Sequence, residues 1–447
     1  MTTHSPRGQP RKGELLMSSP LFVPLKNRSY RMLWTGDLLS SFGNWLDLTA
    51  LIVLLVYHWQ LGPNETAILM LTLGVPMVFL GPMLSVYVDR LPLRGLMLIC
   101  IGIRVLLITG LLFVPNFYLL LPLVFLRSAI GTLFFPARQA MIRHIVPLEQ
   151  IPGAISLGQM TMSLTMIVAP AIGGALVTVI GPRSLFGIEA VLMALSLLFI
   201  WQLPTIPRKQ TSAQPASIDD TEAVQAKRSF WNDLKEGFAH IFTVRILTVG
   251  LTLITIGMFL VYLYDGLLAI WAKEQGIVES GYGTLMSVIG VGSVTGALLA
   301  GQFPRWRKSP LTLIAIVGML AGGLNMLIGL GGLHVVQFPL VIWAIIFLFF
   351  GLFGAAATVP FGYILQTETP KELIGRVSSV SSSMQSAATL LAPTIGATFA
   401  NLYGTGSVFF GSGAFMLVLA LLTLLLMRLI KGDQSKRTPV ATSSSYR

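Results

Sequence analysis

Long apolar segments, separated by short polar ones, dominate the chain. A helix that crosses a bilayer needs about 20 mostly apolar residues, and twelve segments meet that length. The pattern therefore predicts an all-α membrane protein with 12 transmembrane helices. We place these helices at residues 33–57, 67–88, 96–114, 117–138, 152–179, 184–203, 246–269, 281–303, 310–332, 336–364, 375–402 and 405–429.

A polar stretch at residues 204–240 separates six predicted helices from the other six. It is rich in Pro, Ser, Thr, Gln and charge, which is typical of a mobile cytoplasmic linker. At its end, apolar residues recur every four positions, which favours an amphipathic helix on the membrane surface; an ordinary cytosolic helix fits equally well. These residues are Phe230, Leu234, Phe238 and Phe242. The predicted organisation is a disordered tail (1–20), an N-terminal bundle (21–203), the linker (204–240), a C-terminal bundle (241–430) and a disordered tail (431–447).

The two halves repeat. Residues 147–181 align with residues 370–404 without a gap, at a constant shift of 223. Six spans in each half give both copies the same membrane orientation, so we predict two parallel-repeat six-helix bundles, an arrangement used by transporters that rock around a central site. The identical pairs are Pro147/Pro370, Glu149/Glu372, Ile151/Ile374, Ser156/Ser379, Ala169/Ala392, Pro170/Pro393, Gly173/Gly396 and Gly181/Gly404.

Composition strengthens the membrane interpretation and removes several function classes. Only 11% of residues are charged and the mean hydropathy is +0.77, whereas a soluble domain is about 25% charged. The single Cys100 excludes a disulfide framework, and the five histidines show no ligand spacing. We therefore expect no cofactor and no metal site. No phosphate-binding loop and no nucleophile–base constellation occurs, so an enzyme is not expected.

The placement of positive charge predicts the topology. All but four of the 30 Lys and Arg residues fall on one side of the predicted membrane; Arg183 and Lys273 fall on the other, and Arg104 and Arg127 fall within helices. This bias predicts that both termini are cytoplasmic and that the chain lies in the cytoplasmic membrane. The net charge of +12 then orients the protein and contacts anionic lipid rather than nucleic acid. The polar first 20 residues are not a cleaved signal peptide, and Met17 is an alternative start. We expect a monomer.

Six ionisable residues fall within the predicted helices. A charge near the bilayer centre costs about 2.5–3.5 kcal/mol, so each is a candidate site. Asp37 lies close enough to the inner end of its helix to reach the headgroups. Glu189 and Asp265 lie nearer the outer ends, where they either snorkel or line an outer vestibule. Arg104 is about a third of the way in, where it either snorkels or lines the cavity.

Asp47 and Arg127 differ from these because both lie near mid-membrane. Asp47 could exchange a proton or attract a cationic drug, with Asn44 and Trp45 beside it. Arg127 cannot discharge itself, so it needs an acceptor: Asp47, a backbone carbonyl or trapped water. We predict that Asp47 and Arg127 form the proton-coupling site; the alternative is that Asp47 makes a purely structural pair with Arg104 or Arg127.

Uncharged polar residues within other helices complete the candidate substrate cavity, although each alone is more often an interhelical hydrogen bond. The full predicted cavity set is Asn44, Trp45, Arg104, Gln159, Asp265, Asn325 and Gln385.

Four stretches carry a resemblance to a known family: "LKNRSYRMLWTGDLLSSFGNWLDLTA" (25–50), "SVYVDRLPLRGLM" (85–97), "LVFLRSAIGTLFFPARQ" (123–139) and "APAIGG" (169–174). On these, residues 21–430 resemble major facilitator superfamily transporters, and more narrowly the drug:proton antiporter group that includes macrolide-efflux proteins and the enterobactin exporter.

The resemblance implies roles for particular residues. The 85–97 stretch matches the family pattern at Asp89, Arg90 and Arg94, while Ser85 and Pro92 replace its glycines. It implies a conformational latch between these residues and Arg376; a loop charge that only orients the helix is the alternative. The residues implied for helix packing are Gly131, Pro170, Gly173 and Gly174.

In the family, the APAIGG pattern accompanies export, although ordinary helix packing also explains it. The predicted function is therefore proton-coupled efflux of an amphipathic organic compound (drug, macrolide or siderophore-like) by alternating access. The alternatives are an importer or a lipid carrier of the same fold, or a transport-inactive membrane sensor.

Overall fold

A computed structural model of the chain describes residues 22–81, 83, 91–205, 238–239, 241–370 and 373–436. Over these residues the regular structure is helical, with no β-strand. They form two compact units, which are described separately. Of the described residues, unit 1 comprises 22–61, 68–81, 83, 91–205 and 278–287. Unit 2 comprises 62–67, 238–239, 241–277, 288–370 and 373–436.

Among the described residues as far as residue 205, six long helices can be assigned. Asn27 begins the first helix by accepting hydrogen bonds from the backbone N–H groups of Ser29 and Tyr30. Turns of π-helix continue the first two helices through Leu54–His58 and Pro76–Leu80. The helices are α1 (Arg28–Val53), α2 (Pro63–Val75), α3 (Leu93–Leu111), α4 (Phe117–Ile145), α5 (Ile151–Ile180) and α6 (Pro182–Trp201).

Seven further helices follow residue 244. They are α7 (Arg245–Asp265), α8 (Leu268–Glu274), α9 (Glu279–Gln302), α10 (Pro310–Gly332), α11 (Leu340–Thr367), α12 (Ile374–Tyr403) and α13 (Thr405–Lys436). The single helix predicted at 246–269 is interrupted, because the chain turns after Asp265 and restarts at Leu268 as α8. The last helix continues past the bundle boundary predicted at residue 430.

Eleven helices among the described residues are long and apolar enough to cross a membrane. The short α8 is not one of them. The other exception, α12, has 30 residues and is long enough to span, but its first half is rich in serine. With α12 as the twelfth, the predicted all-α membrane architecture is confirmed.

The internal repeat reappears in the helix boundaries. α5 and α12 both contain 30 residues and begin and end at positions related by the same shift of 223. Each contains an internal proline, at Pro170 and Pro393. Each stops at a glycine with a positive φ, +77° at Gly181 and +83° at Gly404, a backbone conformation that is essentially restricted to glycine.

Packing within the units follows the repeat. In unit 1, α1 packs against α5 and α6, and α3 packs against α4 and α6; in unit 2, α7 packs against α12, and α10 against α11 and α13. About two-thirds (67%) of the most apolar part of α1 is enclosed by protein, against at most 50% in the other ten spans. Polar groups on α1 are therefore held away from lipid.

Parts of the predicted organisation lie outside the described residues. These are the tail at 1–20, most of the linker at 204–240 and the last part of the tail at 431–447. The amphipathic helix predicted from Phe230 falls largely there as well. At its described end, Phe238 and Phe242 stack with ring centroids 6.3 Å apart.

Candidate functional site

Two helices of unit 1 bring the mid-membrane charges together. Asp47 on α1 and Arg127 on α4 form an ion pair through Oδ2 and Nη1. The pair is buried, with Asp47 1% and Arg127 7% exposed. The interior is the only environment at this depth that satisfies a guanidinium, because lipid offers no acceptor.

Glu189 joins this pair, which corrects the sequence prediction. It was expected near the outer end of its helix, snorkelling or facing a vestibule. Instead it is fully buried, and its Oε1 lies 3.5 Å from Arg127 Nη1. It also lies close enough to Asp47 for the two carboxyl groups to interact electrostatically. Arg127 therefore has two carboxyl groups within reach.

A glycine on α1 makes room for Glu189. A Cβ at Gly43 would lie 3.0 Å from Glu189 Cγ, and a Cβ at Gly36, seven residues earlier, would lie 3.2 Å from Ile200 Cγ1. Near Gly36, Ser196 Oγ donates a hydrogen bond of 2.8 Å to the Gly36 carbonyl. The two glycines thus set the register of α1 against the antiparallel α6.

Arg104 on α3 supplies the second guanidinium. It is 6% exposed, donates a hydrogen bond from Nη2 to Asn44 Oδ1, and interacts electrostatically with Arg127, Glu189 and Asp47. It therefore does not snorkel to the membrane surface. The acceptor, Asn44, is itself exposed. We call Asp47, Glu189, Arg104 and Arg127 the charge cluster; it holds two acids and two permanent cations on four different helices.

A second ion pair lies further toward the N-terminal end of α1. Asp37 Oδ2 pairs with Arg138 Nη1 on α4, and the Arg138 guanidinium also lies over the Phe135 ring, 5.3 Å from its centroid. Asp37 was expected to reach the headgroups; instead it is only 7% exposed. The reason is that α4 continues to Ile145, so Arg138 lies inside the helix rather than at its end.

The predicted cavity residues fall into two groups. Gln159 and Asp265 are exposed and Trp45 is partly exposed; their role as cavity residues stays a prediction. Asn325 does not fit that prediction: it is 1% exposed, and Nδ2 donates to the Phe409 carbonyl at 3.1 Å and to Ser412 Oγ at 2.9 Å. It joins α10 to α13. Gln385 donates to Ser381 on its own helix, to Oγ at 2.9 Å and to the carbonyl at 3.3 Å.

The predicted packing residues are close to neighbouring helices with one exception. Pro170 is buried, and a Cβ at Gly173 would lie 3.1 Å from Leu46 Cδ2. A Cβ at Gly174 would lie 2.7 Å from Gly283 Cα. Gly131 differs: none of the described residues comes within 4 Å of its Cβ position. It therefore leaves open space rather than a close helix contact.

The predicted latch is only partly within the described residues. Asp89 and Arg90 lie outside them. Arg94 donates hydrogen bonds to Thr205 Oγ1 at 2.8 Å and to the Trp201 carbonyl at 2.5 Å, both at the end of α6. Arg376 lies in the first turn of α12. The latch stays a prediction.

Comparison with known proteins agrees with this architecture. The family model of the Major Facilitator Superfamily matches residues 33–393 and 258–444. The chain is 25% identical to the uncharacterized MFS-type transporter YfiS of Bacillus subtilis (strain 168), over 92% of the chain and 95% of that protein. It is 24% identical to macrolide efflux protein A of Streptococcus pyogenes, over 90% of the chain and 96% of that protein.

Other relatives and solved structures extend the likeness. The putative bacilysin exporter BacE of Bacillus subtilis (strain 168) is 27% identical, over 66% of the chain and 72% of that protein. A solved peptide transporter POT aligns with a TM-score of 0.69 at 14% identity, over 90% of the chain and 94% of that structure. A D-xylose-proton symporter aligns with a TM-score of 0.64 at 15% identity, over 89% and 96%. These structures share the fold.

Proposed function

The chain belongs to the Major Facilitator Superfamily, and on that premise we propose that it is a proton-coupled exporter of an amphipathic organic compound. The family and the membrane-spanning helices already establish that the chain is a multi-pass membrane transporter and not an enzyme. The export direction, the proton and the substrate class are proposed here, together with a monomeric state, the cytoplasmic membrane and cytoplasmic termini.

The charge cluster of unit 1 is the observation that carries the proposal. A buried charge that loses its partner destabilises a protein by about 3–5 kcal/mol. With both carboxyl groups ionised, the two acids of the cluster balance the two guanidiniums of Arg104 and Arg127. A proton that binds one carboxyl leaves a net positive charge in the buried cluster, and its release restores the balance. The protonation of Asp47 or Glu189 thereby alters the relative stability of the two access states, which is the requirement for coupling.

The relatives support export as the direction. Two of the named similar proteins are a macrolide efflux protein and a putative bacilysin exporter. The Pro170, Gly173 and Gly174 pattern in α5 resembles the one that accompanies export in the antiporter group. In unit 1, exposed Gln159 and partly exposed Trp45 offer polar and aromatic contacts to an amphipathic substrate.

Energised everted vesicles test the proposal. The wild-type chain is expressed, a proton gradient is established, and a macrolide or bacilysin is added while lumenal pH is followed. We expect each transported probe to raise the lumenal pH. The Asp47→Asn variant should abolish this response, whereas Glu149→Gln, which removes an exposed carboxylate outside the cluster, should keep it.

Two results would contradict the proposal. A normal response in Asp47→Asn would remove Asp47 from the proton pathway. Movement of these probes out of the lumen together with the protons, instead of into it, would identify an importer.

A further inference from the structure

The polar residues of α1 form one continuous face. Asp37, Ser40, Asn44 and Asp47 follow each other at intervals of three, four and three residues, the spacing that places side chains on one side of a helix. Asp37, Ser40 and Asp47 are buried. Polar and ionisable groups at membrane depth are costly, so a face of this kind is a candidate pathway for protons.

The facing helix α4 carries a matching series. Arg127, Gly131 and Arg138 also share one side of their helix. Asp47 pairs with Arg127 and Asp37 pairs with Arg138, so the two helices run antiparallel with two ion pairs between them. Ten residues of α1 separate the pairs, or about 15 Å along the helix axis.

Gly131 lies between Arg127 and Arg138 along α4. Its Cβ position has no atom of the described residues within 4 Å, although it lies on the same side of α4 as both arginines. The buried hydroxyl of Ser40 lies between the two acids on α1. A bridging water needs both room and polar partners; the open position at Gly131 offers the first, and the ion pairs and Ser40 on these helices offer the second.

The two ion pairs differ in access to solvent. The side chains of Arg138 and Asp37 are 18% and 11% exposed, whereas those of Asp47 and Glu189 are 1% and 0% exposed. Among the described residues, Asp37 interacts electrostatically with Arg138 and with Tyr30, whose hydroxyl donates to the Ala154 carbonyl at 2.9 Å. A proton that leaves the charge cluster therefore meets the more accessible Asp37 on the way to the N-terminal end of α1.

We propose that Asp37 is a second proton station of the transporter, which relays protons between the charge cluster and the membrane face at the N-terminal end of α1. This inference rests on the proposed proton coupling. In the relay, a carboxyl of the cluster gives its proton to the first of a file of water molecules that runs past Gly131. The last water of the file passes a proton to the Asp37 carboxylate, whose pairing with Arg138 weakens. Asp37 then releases the proton to solvent, and the ion pair re-forms.

Two transport assays on the same proteoliposomes test this relay. The first measures macrolide transport driven by an imposed pH gradient, and the second measures exchange of labelled for unlabelled macrolide at equal pH. Exchange needs no net proton release. We expect Asp37→Asn to lower gradient-driven transport about 100-fold, within the range of a positioned proton-transfer group, while exchange stays at the wild-type rate. Asp37→Glu should restore gradient-driven transport.

Further variants separate a relay from a structural ion pair. The double variant Asp37→Asn with Arg138→Gln leaves no unpaired arginine, so a purely structural role predicts recovered gradient-driven transport, and the relay predicts continued loss. Gly131→Leu should fill the open space, and we expect it to lower gradient-driven transport while exchange stays at the wild-type rate. Gly102→Leu is the matched control, because the Cβ position of Gly102 on α3 is equally open, and both assays should stay normal.

The outcomes also separate this inference from the proposed function. If the wild-type chain moves macrolide without any response to the pH gradient, the proposed proton coupling fails and the relay fails with it. If wild-type transport responds to the gradient and the Asp37 and Gly131 variants respond equally well, the relay alone is overturned.

Discussion

Gly43 on α1 faces Glu189 on α6 so closely that a Cβ on the glycine would lie 3.0 Å from Glu189 Cγ. The absence of a side chain at Gly43 is what allows a glutamate to be buried beside Asp47 and Arg127. Seven residues earlier, Gly36 fills the same role against Ser196 and Ile200, where no charge is involved. The interface between α1 and α6 thus contains two close glycine contacts, one with a charged side chain and one with uncharged side chains.

Substitution of these glycines separates packing from proton coupling. Gly43→Ala and Gly36→Ala should each destabilise the protein by about 1–3 kcal/mol through overpacking, less the gain of up to about 1 kcal/mol in helix propensity. Only Gly43→Ala should also reduce macrolide-dependent proton movement, because it displaces Glu189. Thermal unfolding in lipid nanodiscs and the vesicle pH assay measure the two effects. Equal loss of proton movement in both variants would mean that the helix register, not Glu189, is responsible.

Removal of Arg127 should affect stability more than removal of Asp47. Arg127→Gln leaves both Asp47 and Glu189 without their nearest cation, so we expect a loss of about 3–5 kcal/mol in the free energy of unfolding. Asp47→Asn leaves Arg127 with Glu189 at 3.5 Å and should cost less. Unfolding of the purified variants in nanodiscs gives the order. The opposite order would show that Glu189 does not compensate for Asp47.

The fold was predictable because hydropathy identifies each membrane-spanning helix from its own residues. The depth of Arg127 was predictable for the same reason, since it follows from the position of Arg127 within its own helix. The position of Glu189 was not. The sequence gives the depth of a residue only along its own helix. Glu189 lies about two turns after Pro182, where α6 begins, so it is expected near the outer end. The register of α6 against α1 decides its surroundings, and that register depends on how two helices fit together.

The Asp37–Arg138 pair was missed for a related reason. The apolar pattern ends near Arg138, so the helix was expected to end there and the arginine to face solvent. The backbone nevertheless continues helically to Ile145, which keeps Arg138 about two turns inside α4. Asn325 was assigned to the cavity although it is structural. A polar residue in an apolar helix marks either a cavity or an interhelical hydrogen bond, and only the position of Ser412 in the structure decides between them.

Asn325 should behave as a structural residue of unit 2. Asn325→Ala removes the hydrogen bonds to Ser412 Oγ and to the Phe409 carbonyl. We expect a loss of about 1–3 kcal/mol in unfolding free energy, as for a buried group left unsatisfied. The KM for a transported macrolide should be unchanged in proteoliposomes. Gln159→Ala, at an exposed position of the predicted cavity, is the comparison and should raise KM with little change in stability. A raised KM in Asn325→Ala would return this residue to the substrate site.

The two glycines that end α5 and α12 provide the last prediction. Gly181 and Gly404 have φ of +77° and +83° with ψ of 160° and 158°, a region that strains any residue with a Cβ by about 1–3 kcal/mol. No described atom comes within 4 Å of either Cβ position, so the strain is not confounded by a steric clash.

Gly181→Ala and Gly404→Ala should therefore each lower the unfolding free energy by a similar amount. Because the glycines occupy repeat-related positions in different units, the double variant should show the sum of the two losses, as expected for independent sites. Gly102→Ala, at an open position inside a helix, serves as the control and should be neutral or slightly stabilising. Thermal unfolding in nanodiscs measures all four proteins. If only one of the two alanine variants lost stability, the two helix ends would share a backbone shape, but only one of the glycines would be needed for stability.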